Sequence, residues 1–124
     1  MFSTHLSTRS YDSRAVVALR GELDLVDAAA VAAALAAVAD REPQIIVDLA
    51  GLEFIDSSGV TALARGRRRA WRAGGDLVLA APQQQALRVL AAIHLANAFS
   101  VYATVEEAVV EAGHLRPRAR HVAV

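Results

Sequence analysis

The chain has no cysteine and no lysine, one methionine, one tryptophan and three prolines, and aromatic residues fill only 5% of its 124 positions. The missing thiols exclude disulfides, thiolate metal sites and cysteine nucleophiles, and leave a reducing compartment open to it. All 13 basic residues are arginine and 13 acids balance them, so the chain as a whole exerts no strong pull on nucleic acid. Long hydrophobic runs are also missing: the longest small-apolar stretch, Ala28 to Ala39, is mostly alanine and too short to cross a bilayer. The start, Met1-Phe2-Ser3-Thr4-His5-Leu6, has neither the basic residues nor the apolar length of an export signal. These absences predict a cytoplasmic protein with no membrane and no nucleic-acid partner.

Chemistry-bearing patterns are scarce too. His5, His94, His114 and His121 show no helical pair or ligand spacing, so no metal is expected. There is no Gly-x-Ser-x-Gly elbow and no glycine-rich phosphate loop. The expectation is a protein without a cofactor that is not an enzyme. A serine hydrolase would need a base and an oxyanion pairing, and the Asp56-Ser57 stretch supplies neither.

What is present is a 55% hydrophobic, 21% charged chain, rich in alanine and long enough to bury one core. Phe2 to Arg9 and Arg14 to Arg20 read as strands joined by the polar turn Tyr11-Asp12-Ser13, with Ala15, Val17 and Leu19 facing one way. Asp27 to about Asp40 has helical spacing at Val31, Leu35 and Val38, with Asp27 as its expected N-cap and Val26 and Val31 as a staple. Ile45 to Leu49 and Leu77 to Ala81 are apolar runs expected as parallel strands covered on both faces. Between them Ser57 to about Ala73 carries a stripe of Gly59, Ala62, Leu63, Gly66, Ala70 and Ala73, stopped by Gly74-Gly75. Pro82 suits the first position of a helix that turns Leu87, Leu90 and Ala91 inward and runs to about His94. A short strand at Phe99 to Tyr102 follows. Thr104 and Glu107 form a capping-box pattern for a last helix with Val105, Val109 and Ala112 inward and Gly113 past its end. The order β-β-α-β-α-β-α-β-α predicts an α/β fold: one domain over 1–113 with a mixed, largely parallel sheet, four helices and an opening hairpin, followed by a basic tail over 114–124 that is expected to be disordered. No internal repeat interrupts it.

The most informative stretch is Phe54-Ile55-Asp56-Ser57-Ser58-Gly59, where two hydroxyls follow an acid as a strand turns into a helix. With Asp56 as N-cap, Ile55 and Val60 fall at the staple positions, and Ser57 takes the first helical position with its hydroxyl spare. The plain reading of both serines is helix capping. Asp24 is a turn or capping acid, or part of an interface. Arg65, Arg68, Arg69 and Arg72 share one face of the helix with Arg67 beside it, either simply solvated or docking a partner. Trp71 is expected at the core edge, the alternative being an exposed anchor at a partner surface.

Gly21-Glu22-Leu23-Asp24, Val47-Asp48-Leu49, Phe54 to Val60, Arg68-Arg69-Ala70 through Gly74-Gly75, and Glu106-Glu107-Ala108 together resemble the STAS domain family, and within it the anti-sigma factor antagonists of bacterial partner switching. The likeness runs from about Leu6 to Gly113, with one departure at His94 before Leu95, where many relatives have glycine. It implies a STAS-like fold and a protein that binds an anti-sigma factor serine kinase until phosphorylated on Ser57, with Ser58 as the second candidate. It also implies a metal-dependent serine phosphatase as the resetting partner. Asp24, Asp56, Ser57, Ser58, Gly59, Thr61, Arg65 and Arg68 are then the expected partner-binding positions. The alternative is a STAS scaffold or sensor in a lipid-transport or stress-signalling assembly, with Ser57 serving structure alone. The sequence leaves the oligomeric state open.

Overall fold

A largely exposed strand and a largely buried one fold back on each other at the start: β1, Thr4–Tyr11, pairs antiparallel with β2, Arg14–Leu23. The connection is shorter than the sequence suggests. Asp12 and Ser13 alone make it, both with positive φ (55° and 64°), the handedness that matches the twist of a two-residue hairpin. This and the remainder come from a computed structural model, which describes residues 3–93 and 99–114. The His94 departure and residues 115–124 of the expected tail lie outside the described residues.

The later elements alternate as expected: α1 (Leu25–Arg41), β3 (Gln44–Ile55), α2 (Ser57–Arg72), β4 (Asp76–Ala80), α3 (Gln84–Ala92), β5 (Val101–Tyr102) and α4 (Val105–His114). The sheet order is β1-β2-β3-β4-β5, with every pair after the hairpin parallel. Alternation along the central strands divides the core into two layers. Val17, Leu19, Ile45, Val47, Leu49, Leu77 and Leu79 lie on the face packed by α1, α2 and α3, whereas Val16, Ile46, Val78 and Ala80 meet Val105 and Ala108 of α4. Burial on both faces is why β3 and β4 read as unbroken apolar runs.

Helix α1 begins earlier than expected. Its N-cap is Asp24, whose Oδ1 accepts from the Val26 amide at 3.0 Å. Asp27 is instead buried inside the first turn, where its Oδ2 accepts from the backbone amides of Ser3 (2.9 Å) and Thr4 (2.8 Å) and ties the start of β1 to α1. Strand β3 also exceeds its expected end at Leu49 and runs to Ile55, with two register shifts against β2.

At its far end α2 stops as Gly74-Gly75 predicts. Gly74, at φ 93°, donates to the Trp71 carbonyl at 3.0 Å and Gly75 to that of Ala70 at 2.9 Å, a Schellman closure that needs a left-handed residue.

Helix α3 differs from expectation. Pro82 lies outside it, Gln83 is the N-cap, and the preceding Ala81 has a positive φ of 58°. The turn is therefore made before the proline, and the helix rotates accordingly: Ala86 and Leu90 are buried, Leu87 is half-buried and Ala91 is exposed. In α4, Thr104 Oγ1 accepts from the Glu107 amide at 3.0 Å, but Glu107 reaches back to the amide of Ala103, one residue earlier than a capping box requires. The helix continues through Gly113.

Candidate partner-docking surface

The parallel pairing of Leu23 with Ile55 brings the carboxyl ends of β2 and β3 to the same edge of the sheet, so α1 and α2 start side by side. The Asp56 amide donates to the Leu23 carbonyl at 3.3 Å, joining the two strand exits directly. Each exit then ends in a capping acid. Asp24 serves α1, and Asp56 serves α2 by accepting from the Gly59 amide at 3.1 Å on Oδ1. Ile55 and Val60, the two staple positions, are both buried.

Gly59 explains how close the two exits come. A Cβ at this residue would lie 2.6 Å from Ile55 Cγ1 and 2.9 Å from both Leu23 Cγ and the Leu23 carbonyl oxygen. One of those atoms is backbone, so the space cannot be recovered by rotating a side chain. Gly59 was expected on the partner surface, but it lies buried behind that surface and contributes by letting α2 press against the end of β2.

Ser57 is exposed at the first position of α2, and Ser58 beside it is half-buried. One turn on, exposed Thr61 donates its hydroxyl to the Ser57 carbonyl at 2.9 Å. The hydroxyl of Ser57 thus stands at the positive end of a helix, where an added anion is electrostatically tolerated. Asp24 and Asp56 are partly exposed near it. Arg65 and Arg68 are exposed on α2 two or more turns away, so they belong to a different part of the same helix.

Four contributors to this edge are not evident from sequence. Leu25 (75% exposed), Val26 (68%) and Phe54 (41%) are large apolar side chains left facing solvent around the two caps. They read as core residues from composition alone, and the one available signal is that each adjoins a capping acid within two positions. The fourth is Gln85 of α3, whose Oε1 accepts from the Ile55 amide at 2.9 Å while its Nε2 donates to the Ile55 carbonyl at 2.9 Å. Both backbone groups at the end of β3 are satisfied by this one amide, which holds the residue preceding Asp56 in place.

Arg67 is the one arginine of α2 that the expected solvated face misplaces. It is buried, pairs with Asp76 through Nε at 3.0 Å, and lies over the Trp71 ring at 4.0 Å. Trp71 sits at the core edge and donates its indole N–H to the same Asp76 oxygen at 2.7 Å. This cluster anchors the second half of α2 to β4. Among the described residues no group of three His, Asp or Glu side chains is arranged to hold a metal ion, and no helix is long and apolar enough to cross a membrane.

With this geometry, the comparisons with known proteins agree. The STAS domain model matches residues 5–108, and the chain belongs to the STAS domain family. It is similar to an anti-sigma factor antagonist from Mycobacterium paratuberculosis, at 28% identity and a TM-score of 0.77, covering 90% of this chain and 95% of that one. The anti-sigma factor antagonist SpoIIAA in its unphosphorylated form shares 24% identity at a TM-score of 0.74, over 90% of this chain and 98% of its own. The Bacillus cell fate determinant SpoIIAA in its phosphorylated form shares 24% at a TM-score of 0.65, over 87% and 97%. The likeness to SpoIIAA is one of fold. No curated protein matches the chain in sequence.

Proposed function

We propose that this STAS domain is an anti-sigma factor antagonist: unmodified, it binds an anti-sigma factor serine kinase, and phosphorylation on Ser57 releases it. The observation that carries the reading is the exposed Ser57 hydroxyl at the start of α2, on an edge that also exposes Leu25, Val26 and Phe54. Exposed apolar side chains around a polar centre are what a protein partner covers. The serine is open to a kinase while the caps and Gln85 hold the backbone beneath it.

A phosphate on Ser57 adds about −1.5 to −2 charge near neutral pH. The helix amides and dipole stabilise that charge in the free protein, so the fold survives modification. In the complex, the same charge next to Asp24 and Asp56 is desolvated and repelled. A loss of about 3 kcal/mol lowers affinity roughly a hundredfold, enough to release a partner without unfolding anything. On this reading the protein acts in the cytoplasm, carries no catalytic site, and is reset by a metal-dependent serine phosphatase.

The test is a kinase assay with the cognate anti-sigma factor. Stoichiometric phosphate should appear on the wild-type chain and vanish in Ser57→Ala, and Ser57→Asp should bind the kinase about a hundredfold more weakly. Phosphate that persists in Ser57→Ala, or tight binding by Ser57→Asp, overturns the proposal.

A further inference from the structure

The second helix has a property that the serine edge does not use. From Ser57 to Arg72 it contains five arginines and no acid. Two of the five are neutralised within the fold: Arg67 by Asp76, and Arg69 by Asp40, at 3.0 and 2.6 Å respectively. Arg65, Arg68 and Arg72 have no acidic partner among the described residues. All three line a groove of about 540 Å³ between α1 and α2, together with Thr61 and Arg69.

The opposite wall is alanine. Ala29, Ala32, Ala33 and Ala36 of α1 lie along the groove at spacings of three and four residues. Their methyl groups leave the surface of α1 low enough for another backbone to approach. The acids of α1 do not offset the arginines: Asp27 is turned to β1, and Asp40 is already engaged by Arg69. The groove is therefore a shallow trough with a small-residue floor on one side and surplus positive charge on the other. From Thr61 to Arg72 it runs about 16 Å along the helix axis, the length of about three helical turns.

We propose that this α1/α2 groove docks an acidic helical segment of the partner protein, with carboxylates spaced three and four residues apart facing Arg65, Arg68 and Arg72. Charge complementarity selects an acidic occupant, and the three-and-four spacing on both walls matches the ridges of a helix. Nucleic acid is disfavoured because no aromatic side chain lines the trough to stack a base. The proposal deepens the docking reading above by naming the partner's chemistry at a second contact. Arg65 lies about 12 Å along the axis from Ser57, so the three arginine contacts do not involve the serine hydroxyl itself.

The test uses the whole chain and a synthetic alanine-rich helical peptide of about 14 residues, enough to span the trough, with glutamates at three-and-four spacing. An otherwise identical glutamine peptide and a single-stranded DNA oligonucleotide of equal charge serve as controls. Amide shifts in an NMR titration should localise to Ala29, Ala33, Ala36, Thr61 and their neighbours, and affinity should fall as salt is raised. The glutamine peptide should not bind, and the Arg65→Glu/Arg68→Glu/Arg72→Glu chain should lose about tenfold or more in affinity. If that chain fails to fold, the corresponding glutamine substitutions carry the same expectation. Ser57→Ala, which blocks phosphorylation without adding charge, should still bind the glutamate peptide, which separates failure here from failure of the phosphoswitch. Equal binding of the glutamine peptide, retained binding by the triple variant, or tighter binding of the oligonucleotide overturns the proposal.

Discussion

Removing the Asp76 carboxylate tests how α2 is held. One oxygen, Oδ1, accepts from Arg67 Nε (3.0 Å), from the Trp71 indole (2.7 Å) and from the Leu77 amide (2.8 Å). In Asp76→Ala the guanidinium of Arg67, which keeps only 6% of its side-chain surface, is left without this counter-charge, and the indole and amide donors lose their acceptor. Breaking a buried ion pair from one side costs about 3–5 kcal/mol. Asp76 itself retains 15% exposure, so water screens the site and the lower bound, about 3 kcal/mol, applies. For a chain of this size that lowers Tm by about 10 °C. Arg67→Met should cost less, about 1–2 kcal/mol, because the Asp76 oxygen keeps its two other donors and a partial path to water. The Arg67→Met/Asp76→Ala chain no longer buries a guanidinium that has lost its Asp76 counter-charge, so its loss should be at least about 1.5 kcal/mol smaller than the sum of the two. Urea unfolding of the four chains at constant m measures all of this. A cost for Asp76→Ala below about 1 kcal/mol, or strict additivity, refutes the account.

Other outcomes follow from the serine edge and the α1 tie. Gly59→Val should destabilise by about 1–3 kcal/mol, because its Cβ meets the Leu23 carbonyl at 2.9 Å and no rotamer relieves that contact; a melt indistinguishable from wild type would show that the two strand exits can separate. Asp24→Ala and Asp56→Ala should each cost about 1 kcal/mol as lost N-caps, read from thermal or urea melts, and a silent change at either would remove it from the capping scheme. Leu25→Ser and Phe54→Ser should leave the melting curve in place while weakening kinase binding in a calorimetric titration, whereas full-strength binding would move the docking surface elsewhere. Burial pushes the Asp27 carboxyl up, but hydrogen bonds from Thr4 and Ser3 outweigh it and hold the group below the ordinary carboxylate value. Its contribution is therefore complete above the ordinary carboxylate range and is lost as pH falls through the lowered folded value. Asp27→Asn should flatten the acid limb of the stability profile, and parallel profiles for the two chains would contradict the assignment.

Elements whose signals are local were legible in the sequence. The hairpin, the Asp56 cap with its Ile55 and Val60 staple, and the double-glycine stop of α2 each depend on neighbours within five residues. Asp27 looked like the better N-cap of α1 because it stands before the periodic positions Val31, Leu35 and Val38. Its actual partners, Ser3 and Thr4, lie more than twenty positions upstream and leave no mark on that periodicity. The end of β3 was hidden by register shifts against β2, which turn strict alternation into the wider spacing of Leu49, Leu52 and Ile55. Pro82 suggested a helix start, but the chain turns one residue earlier at Ala81. Of the site, Asp56 and the two serines could be located from their pattern, whereas Asp24 was left open between a turn or capping acid and an interface residue while the cap of α1 was given to Asp27. The exposure of Leu25, Val26 and Phe54 could not, because apolarity by itself points inward. Arg67 was indistinguishable from its neighbours until Asp76 and Trp71 met it across the turn.

That turn gives the molecule a built-in gauge. Trp71 is the sole indole in the chain, and it is bonded to Asp76 at the joint between α2 and β4, on the same helix whose first residue is Ser57. Its fluorescence reports whether α2 stays seated. Emission that holds steady as phosphate accumulates would mean a signal written wholly on the outside of a rigid body, and a red shift would mean the message is carried by movement of the helix itself.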